Sequence, residues 1–549
     1  MDIFIIIAVL ICCSLIYSGV ERKKRNRIWI KDQYGKKPKE TDCDFDKVGY
    51  YWSEFKDTVA DGEKIDDVTW NDLEMDHIFS RINGCNSFVG EQVLFSTLHC
   101  LTKDNSYREL LEKKINFYAN NAQERVDIQV QLDSLGKEDG SYLLPVFMKN
   151  LNMFKIPHIL VYRIMQILLV VSVLPAVILL NFKYIYLAVV VFAINLVLYT
   201  LKKNEYELKL DTLKSVISLV KVGNRIANTK EFSYETKFQD LKKETVHFKK
   251  LSHMIGSLLR KSKGGLSGDL VGLIYDYLIG ATLWDFVKYD QIIRILTVKQ
   301  NEYIELYRRI GEIDLAITIA SFRESLPLFC TPIFSEKPVL KMEELYHPMI
   351  DNPVYNTVTL ERGCIITGSN ASGKSTFIKA VAVNAILAQS INTCMAKYIT
   401  LPYSSIITSM AVRDDLMTGE SYYIKEIKYL NRIIQSLSED RLVICAIDEI
   451  LRGTNTEERI AASASILEFI CKKNCIAIVA SHDIELTQIL ANDYDNFHFQ
   501  EYIQDNDIMF DYKINVGAST SKNAIRLLEY VGFPEEIIWN AREKLTLSN

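Results

Sequence analysis

No C-x-x-C pair occurs among the 11 cysteines, and only 8 histidines are spread through 549 residues. Without paired thiols or a nearby His set, a zinc-organised fold is excluded, and free thiols in a reducing compartment are the expectation. Excess positive charge is missing as well. The formal net charge is −5, which excludes a protein whose whole surface is a nucleic-acid footprint, so any such contact must be regional. Internal repeats and low-complexity segments are absent too, which argues against stacked-repeat and disordered architectures. What is left, 48% hydrophobic and 24% charged, is globular, and the length suggests roughly three or four units.

The most informative stretch runs from Gly363 to Phe377. Gly368, Gly373, Lys374 and Ser375 satisfy G-x-x-x-x-G-K-[ST], with an apolar strand (Cys364 to Ile366) before and a helix-like run (Phe377 to Ala388) after. Glycines let the loop backbone turn its N–H groups toward phosphate oxygens, and the helix adds its positive end. Lys374 would reach the β/γ-phosphates and Ser375 would ligate Mg²⁺. The bland alternative, a glycine turn between strand and helix, does not account for the four fixed residues together.

Two further strands carry acids and a histidine to the same kind of position. Leu442 to Glu449 is an apolar strand ending in Asp448 and Glu449. Asp448 suits the Mg²⁺ shell and Glu449 the attacking water, so ATP hydrolysis is the leading expectation and a nucleotide-binding pseudoenzyme the alternative. Cys475 to Asp483 is another buried-type strand with His482 just past its end, facing the ligand crevice of a parallel sheet as a candidate γ-phosphate sensor.

Elsewhere the chain is apolar in blocks. Ile3 to Val20 is followed at once by a basic run from Arg22 to Arg27, which reads as an uncleaved anchor with the basic side in the cytoplasm; a cleaved signal peptide would place its charge before the apolar run. Ile164 to Leu201 carries Lys183 as its sole charge and reads as a hairpin of two spans, the alternative being a buried helical hairpin of a soluble core. The expectation is three transmembrane helices in the bilayer and a multi-pass location in the cell membrane, with the remaining domains cytoplasmic. Residues 21–65 read as a linker, and a helical pattern starts at Asp66. A long Lys- and Glu-rich helix is expected over Lys203 to Ile255, and a further helical block, the second lever helix, over Leu270 to Leu326. Pro327, Pro332 and Pro338 mark the boundary that follows.

The segment Gly368 to Thr376 resembles the phosphate loop of the MutS family of mismatch-repair ATPases. Arg413 to Glu426 is similar to that family's segment leading into its signature helix, Ile447 to Thr456 to its D-E-x-x-R-G-T loop, and Ser481 to Thr487 to its histidine motif. The stretches Gly517 to Ile525, Gly532 to Ile537 and Ala541 to Glu543 resemble its helical tail. More weakly, Asp72 to Leu98 and Ile313 to Phe334 look like the two ends of its helical core. The resemblance implies a C-terminal α/β P-loop ATPase domain of the ABC type, preceded by an all-α MutS-like core and lever domain into which transmembrane helices are inserted. It implies ATP and Mg²⁺ as cofactors and a homodimer acting on DNA. Gly368, Ser369, Asn370, Ala371, Ser372, Gly373, Lys374, Ser375 and Thr376 would hold the nucleotide, with Ser421 reaching it in trans from the partner. Ser375 and Asp448 would hold the metal, and Glu449, His482 and Lys374 would act in catalysis. The expected boundaries are anchor 1–20, linker 21–65, helical core 66–163, membrane hairpin 164–201, lever and core 202–335, ATPase domain 336–530 and dimerisation tail 531–549. The family's mismatch-reading N-terminal domain has no counterpart here, and Phe322 to Glu324, although of Phe-x-Glu form, reads as core helix. Two functions from different classes stay open: a membrane-tethered ATPase clamp on mismatched or branched DNA, and an ATP-driven membrane switch that binds no DNA.

Overall fold

The computed structural model describes residues 2–39, 43–179, 185–228, 277–369, 372–410, 422–452, 454–504, 507–519 and 532–547, with the isolated positions Phe248, Leu251, Met254 and Ile255. Its N-terminal part is helical. The helix Phe88–Leu98 and the helix Gln300–Glu324 cross at its centre, because glycines let them approach. A Cβ on Gly90 would lie 2.2 Å from Asp314 Oδ2, and one on Gly311 would lie 2.3 Å from Val93 Cγ2. The Asp314 carboxylate in turn closes the start of the first helix, accepting from Asn86 N at 3.0 Å, Ser87 N at 2.9 Å and Ser87 Oγ at 2.6 Å. Phe322 is buried in this core, as its place in the sequence suggests.

Residues 43–65 differ from the linker expected there. Short helices at Phe45–Val48 and Tyr50–Phe55 bury Val48, Tyr51 and Trp52, and Trp52 stacks on His99 with ring centres 4.9 Å apart. Helices of four to six residues are too short to display a 3.6-residue period, so their apolar positions look irregular in the sequence. Preceding them, one helix covers Asp2–Gln33 and joins the core through Arg27 paired with Asp127 and Asn26 Nδ2 donating to Asp133 Oδ2 at 2.7 Å.

Among the described residues two helices are long and apolar enough to cross a membrane, Leu151–Pro175 and Ile185–Lys203, not the three expected. The anchor expected at 1–20 includes positions outside the described residues; the helix Asp2–Gln33 continues through its basic residues onto the core. The two apolar helices pack as a hairpin and leave Leu160, Val170, Tyr186 and Leu201 largely exposed. The second continues without a break as the helix Ile185–Ala227, whose end buries Leu213, Val216, Val220 and Ile226 in the helical core. Thus the first expected lever helix is described only to residue 228. Within the helical block expected over Leu270 to Leu326, Trp284–Val298 and Gln300–Glu324 are separate helices, broken at Lys299.

The C-terminal part is built on two sheets. The smaller has the order β1-β5-β2-β3, with β1 (Ile333–Phe334), β2 (Leu340–Leu345), β3 (Asn356–Leu360) and β5 (Tyr398–Leu401). The larger has the order β10-β9-β4-β8-β7-β6, from β4 (Cys364–Thr367), β6 (Ser404–Ser409), β7 (Leu442–Asp448), β8 (Cys475–Ala480), β9 (Asp495–Gln504) and β10 (Asp507–Val516). All neighbours in the larger sheet are parallel except β9 and β10. Its central strands are apolar throughout because both faces are covered. Ile366, Ile444 and Ile478 join the cluster around the helix Lys374–Ile391, while Ile365, Val443 and Val479 join the opposite cluster with Leu430 and Leu467.

Helical and α/β parts share the first of those clusters and are clasped by polar contacts. Arg323, paired with Glu112 inside the helical part, donates through Nε to Thr393 at 2.9 Å, and Asn392 Nδ2 donates to Glu112 at 2.9 Å. Asp72 accepts from Thr408 Oγ1 at 2.7 Å and Met410 N at 3.0 Å, and Arg432 pairs with Asp66.

Candidate functional site

Three parallel strands end in one row. Ile366 of β4 is opposite Ala480 of β8, and Ala480 is opposite Asp448 of β7. Since parallel strands run the same way, the loops after them emerge on one edge, the usual place for a ligand in such sheets. The glycine loop, the Ser481–His482 turn and the Asp448–Glu449 turn are thereby set side by side. Ser481 N donates to Ile366 O at 3.0 Å and Glu449 N to Ala480 O at 3.0 Å, fastening each turn to the neighbouring strand.

Positive φ angles at Gly368 (143°) and Gly373 (105°) turn the loop. At Gly368 a side chain is also excluded by space, since a Cβ would lie 2.6 Å from Phe499 O. The helix Lys374–Ile391 starts directly after the second glycine, so its first N–H groups face the loop. Lys374 is buried and its Nζ donates to the carbonyls of Gly368 and Ser369, both at 2.7 Å. Burial pulls its pKa below the ordinary lysine value, although Glu449 and Asp448 oppose the shift. Ser372 Oγ donates to Ser369 O at 2.8 Å. Ser375 is half-buried and Thr376 exposed at the helix start, while Asn370, Ala371 and Ser421 lie outside the described residues.

At the end of β7, Asp448 is buried and its Oδ1 takes no hydrogen bond. Glu449 adopts a left-handed backbone (φ 63°) and turns its carboxylate to Arg452 and to His482, whose Nε2 is 3.0 Å from Oε1. Burial raises the Glu449 pKa, but the hydrogen bond from His482 and the charges of Arg452 and Lys374 outweigh it and hold the carboxyl below its usual value. Arg452 N is held by both oxygens of Glu426, at 3.3 and 3.1 Å. On the other side Arg459 grips Asp483 with two bonds of 2.9 and 2.6 Å, steadying the residue next to His482.

Beside the loop lies a cavity of about 450 Å³, lined by Gly373 to Phe377, by Tyr346, His347, Ile350 and Pro353 from the β2–β3 connection, and by Phe499 and Tyr512 of β9 and β10. Burial pushes His347 down to about 4, with Lys379 adding to the shift, so the ring is neutral at pH 7. Its Nδ1 accepts from Met349 N at 3.4 Å, which assigns the proton to Nε2, a buried nitrogen with no partner. Reading the sequence did not single out His347, Phe499 or Tyr512, because this wall comes from segments far from the glycine motif. Arg452 and Glu426 lay inside recognised motifs, but only the folded chain joins them to Glu449.

These donors fit a magnesium nucleotide. A glycine cradle that cannot take a side chain, a buried lysine bonded to loop carbonyls, an unpartnered carboxylate oxygen and a hydroxyl at a helix start make a complementary set for phosphate and a hard cation.

In class, the C-terminal part is an α/β domain with a glycine loop between a central strand, Cys364–Thr367, and the helix Lys374–Ile391. Residues 364–548 match MutS domain V. The chain is 32% identical, across 269 residues, to the DNA mismatch repair protein MutS of Pseudothermotoga lettingae, covering 47% of this chain and 33% of that protein. It is 29% identical, across 266 residues, to the human MutS protein homolog 4, covering 44% of this chain and 28% of that protein. The likeness to the MutS family is carried by this domain, which takes up about a third of the chain. The matched region spans about a third of the length of each relative.

Proposed function

We propose that this chain is a membrane-tethered MutS-type ATPase, which hydrolyses MgATP as a homodimer and uses the cycle to close a clamp on DNA. The observation that carries the reading is the convergence of Lys374, Ser375, Asp448, Glu449 and His482 on one sheet edge inside a MutS domain V. Bound MgATP supplies the phosphoryl group and the cation that balances its charge. Lys374 exchanges its two carbonyl partners for phosphate oxygens, and its desolvation in the free state makes that exchange favourable. Ser375 and Asp448 would hold the Mg²⁺, and the nucleoside would enter the 450 Å³ cavity against Phe499 and Tyr512, with His347 Nε2 as a donor. Glu449, kept deprotonated by its neighbours, orients and deprotonates the attacking water once its contacts to Arg452 and His482 loosen; His482 then faces the γ-phosphate. Asn370 contributes to the loop, and Ser421 completes the partner's site.

Basic residues such as Lys214, Lys221 and Arg225 on the long helix, and the names of the relatives, support DNA as the ligand. A second reading, a membrane switch without DNA, is favoured by the unbroken helix Ile185–Ala227, which links an apolar span directly to the core. Hydrolysis by the detergent-solubilised protein with duplex, mismatched and branched DNA, over a salt series, separates them. Stimulation that falls with salt supports the clamp, and rates indifferent to every DNA favour the switch. Lys374→Ala is expected to lose nucleotide binding in either case; normal binding would remove the loop from its role.

A further inference from the structure

A second cavity lies between the end of the first helix and the helical core. It encloses about 390 Å³ and is lined by Lys36, Lys37, Lys39, Arg81 and Lys137 against a single acid, Asp133. That acid is already engaged by Asn26. Lys137 is held by the buried Glu91, but the other cations are weakly committed. Lys36–Asp32 and Lys37–Asp351 are exposed pairs, of the kind that contributes little and exchanges readily.

Arg81 is the unusual member. It is 9% exposed, its guanidinium donates to Ser325 and lies over the Phe322 ring, and among the described residues no carboxylate is at ion-pair distance, Asp351 acting on it only from further off. A buried cation without a directly paired anion is costly unless something supplies the charge. Gln129, 6% exposed, also lines the cavity, and its Oε1 has no hydrogen-bond partner. That oxygen wants a donor, which an anion alone cannot be.

We infer that this cavity is a ligand site separate from the nucleotide loop, built for a phosphate monoester carried on a small hydroxyl- or amine-bearing group. Arg81 and the rim lysines take the doubly charged phosphate, the guanidinium fork suiting its oxygens, and Gln129 accepts from the hydroxyl or amine. The ester comes either from solution or from the headgroup of an acidic lipid. The site does not depend on the proposed ATPase cycle.

The test uses the full chain in detergent carrying Lys374→Ala, so that the glycine loop does not compete for the probe. Titration calorimetry with glycerol 3-phosphate is expected to show saturable binding. Arg81→Gln should weaken it about tenfold or more, as loss of a charge-assisted hydrogen bond does. Lys37→Glu, on the exposed rim where folding is not at stake, should weaken it as well. Gln129→Leu should reduce glycerol 3-phosphate to the affinity of inorganic phosphate. Parallel titration with lysophosphatidic acid, which keeps a free hydroxyl, in the same detergent identifies the source: soluble ester if only glycerol 3-phosphate binds, lipid headgroup if only lysophosphatidic acid binds in an Arg81- and Lys37-dependent way. No saturable binding in either arm, or binding indifferent to Arg81→Gln and Lys37→Glu alike, overturns the proposal.

Discussion

Glu449 sits in a left-handed backbone region at φ 63°, and Leu451, two residues on, does so at φ 57°. A residue other than glycine pays about 1 kcal/mol or more for that conformation, so the turn after β7 persists because its surroundings hold it. The hold is visible in Glu449 N on Ala480 O and in Arg452 N on Glu426. Glu449→Gln keeps size, leaves one acceptor oxygen where Arg452 and His482 now share two, and removes the proton acceptor. It should leave ATP binding intact and slow single-turnover hydrolysis about a hundredfold or more. An unchanged rate would take Glu449 out of the reaction. The acids and Lys374 were legible in the sequence because strand and motif spacing alone locate them. His347 was not, since its relevance depends on a neighbour that burial creates.

Among the elements, the crossing of Phe88–Leu98 with Gln300–Glu324 is the most tightly specified. Gly90→Ala would drive a methyl into the Asp314 carboxylate, which burial already holds at a raised pKa and which caps the partner helix. The expected cost is about 1–3 kcal/mol, read as a lower urea midpoint with an unchanged slope. A midpoint equal to that of the parent protein would mean that the helices part easily. Helix Ile185–Ala227 is the other decisive element. Its apolar first half was readable as a span, but its continuity into the core was not, because the lysines at 202 and 203 look like a stop. The linker expected before residue 66 failed for a related reason: its helices are shorter than the period that would reveal them.

For the molecule as a whole, the Arg323–Glu112 pair of the helical part is joined to the α/β part by Asn392, which donates to Glu112 at 2.9 Å and accepts from Arg323 at 2.8 Å, and by Thr393. Burial raises the Glu112 pKa, but Arg323, Asn392 and Asn116 lower it by more, and the net value lies below the ordinary glutamate. A depressed folded-state value means that the pair's contribution is fully present above the unfolded value near 4.5. It is lost as pH falls through the lower, folded one. Glu112→Gln should therefore melt at a lower temperature than the parent at pH 7, with the difference shrinking progressively below about pH 4.5. A gap of constant size over that range would show that the carboxylate charge does not contribute.

The division between sequence and structure follows from the range of the interactions. A phosphate loop, a strand ending in two acids and a run of apolar residues are local patterns, each set by neighbours within a turn or a strand, and the sequence alone determined them and the family they resemble. The Ile366–Ala480–Asp448 row, the meeting of Glu449 with His482 and Arg452, and the basic cavity around Arg81 bring together residues far apart in the chain. Only the tertiary structure could decide those. They depend on strand order and on which faces are buried, and neither is written in any one segment.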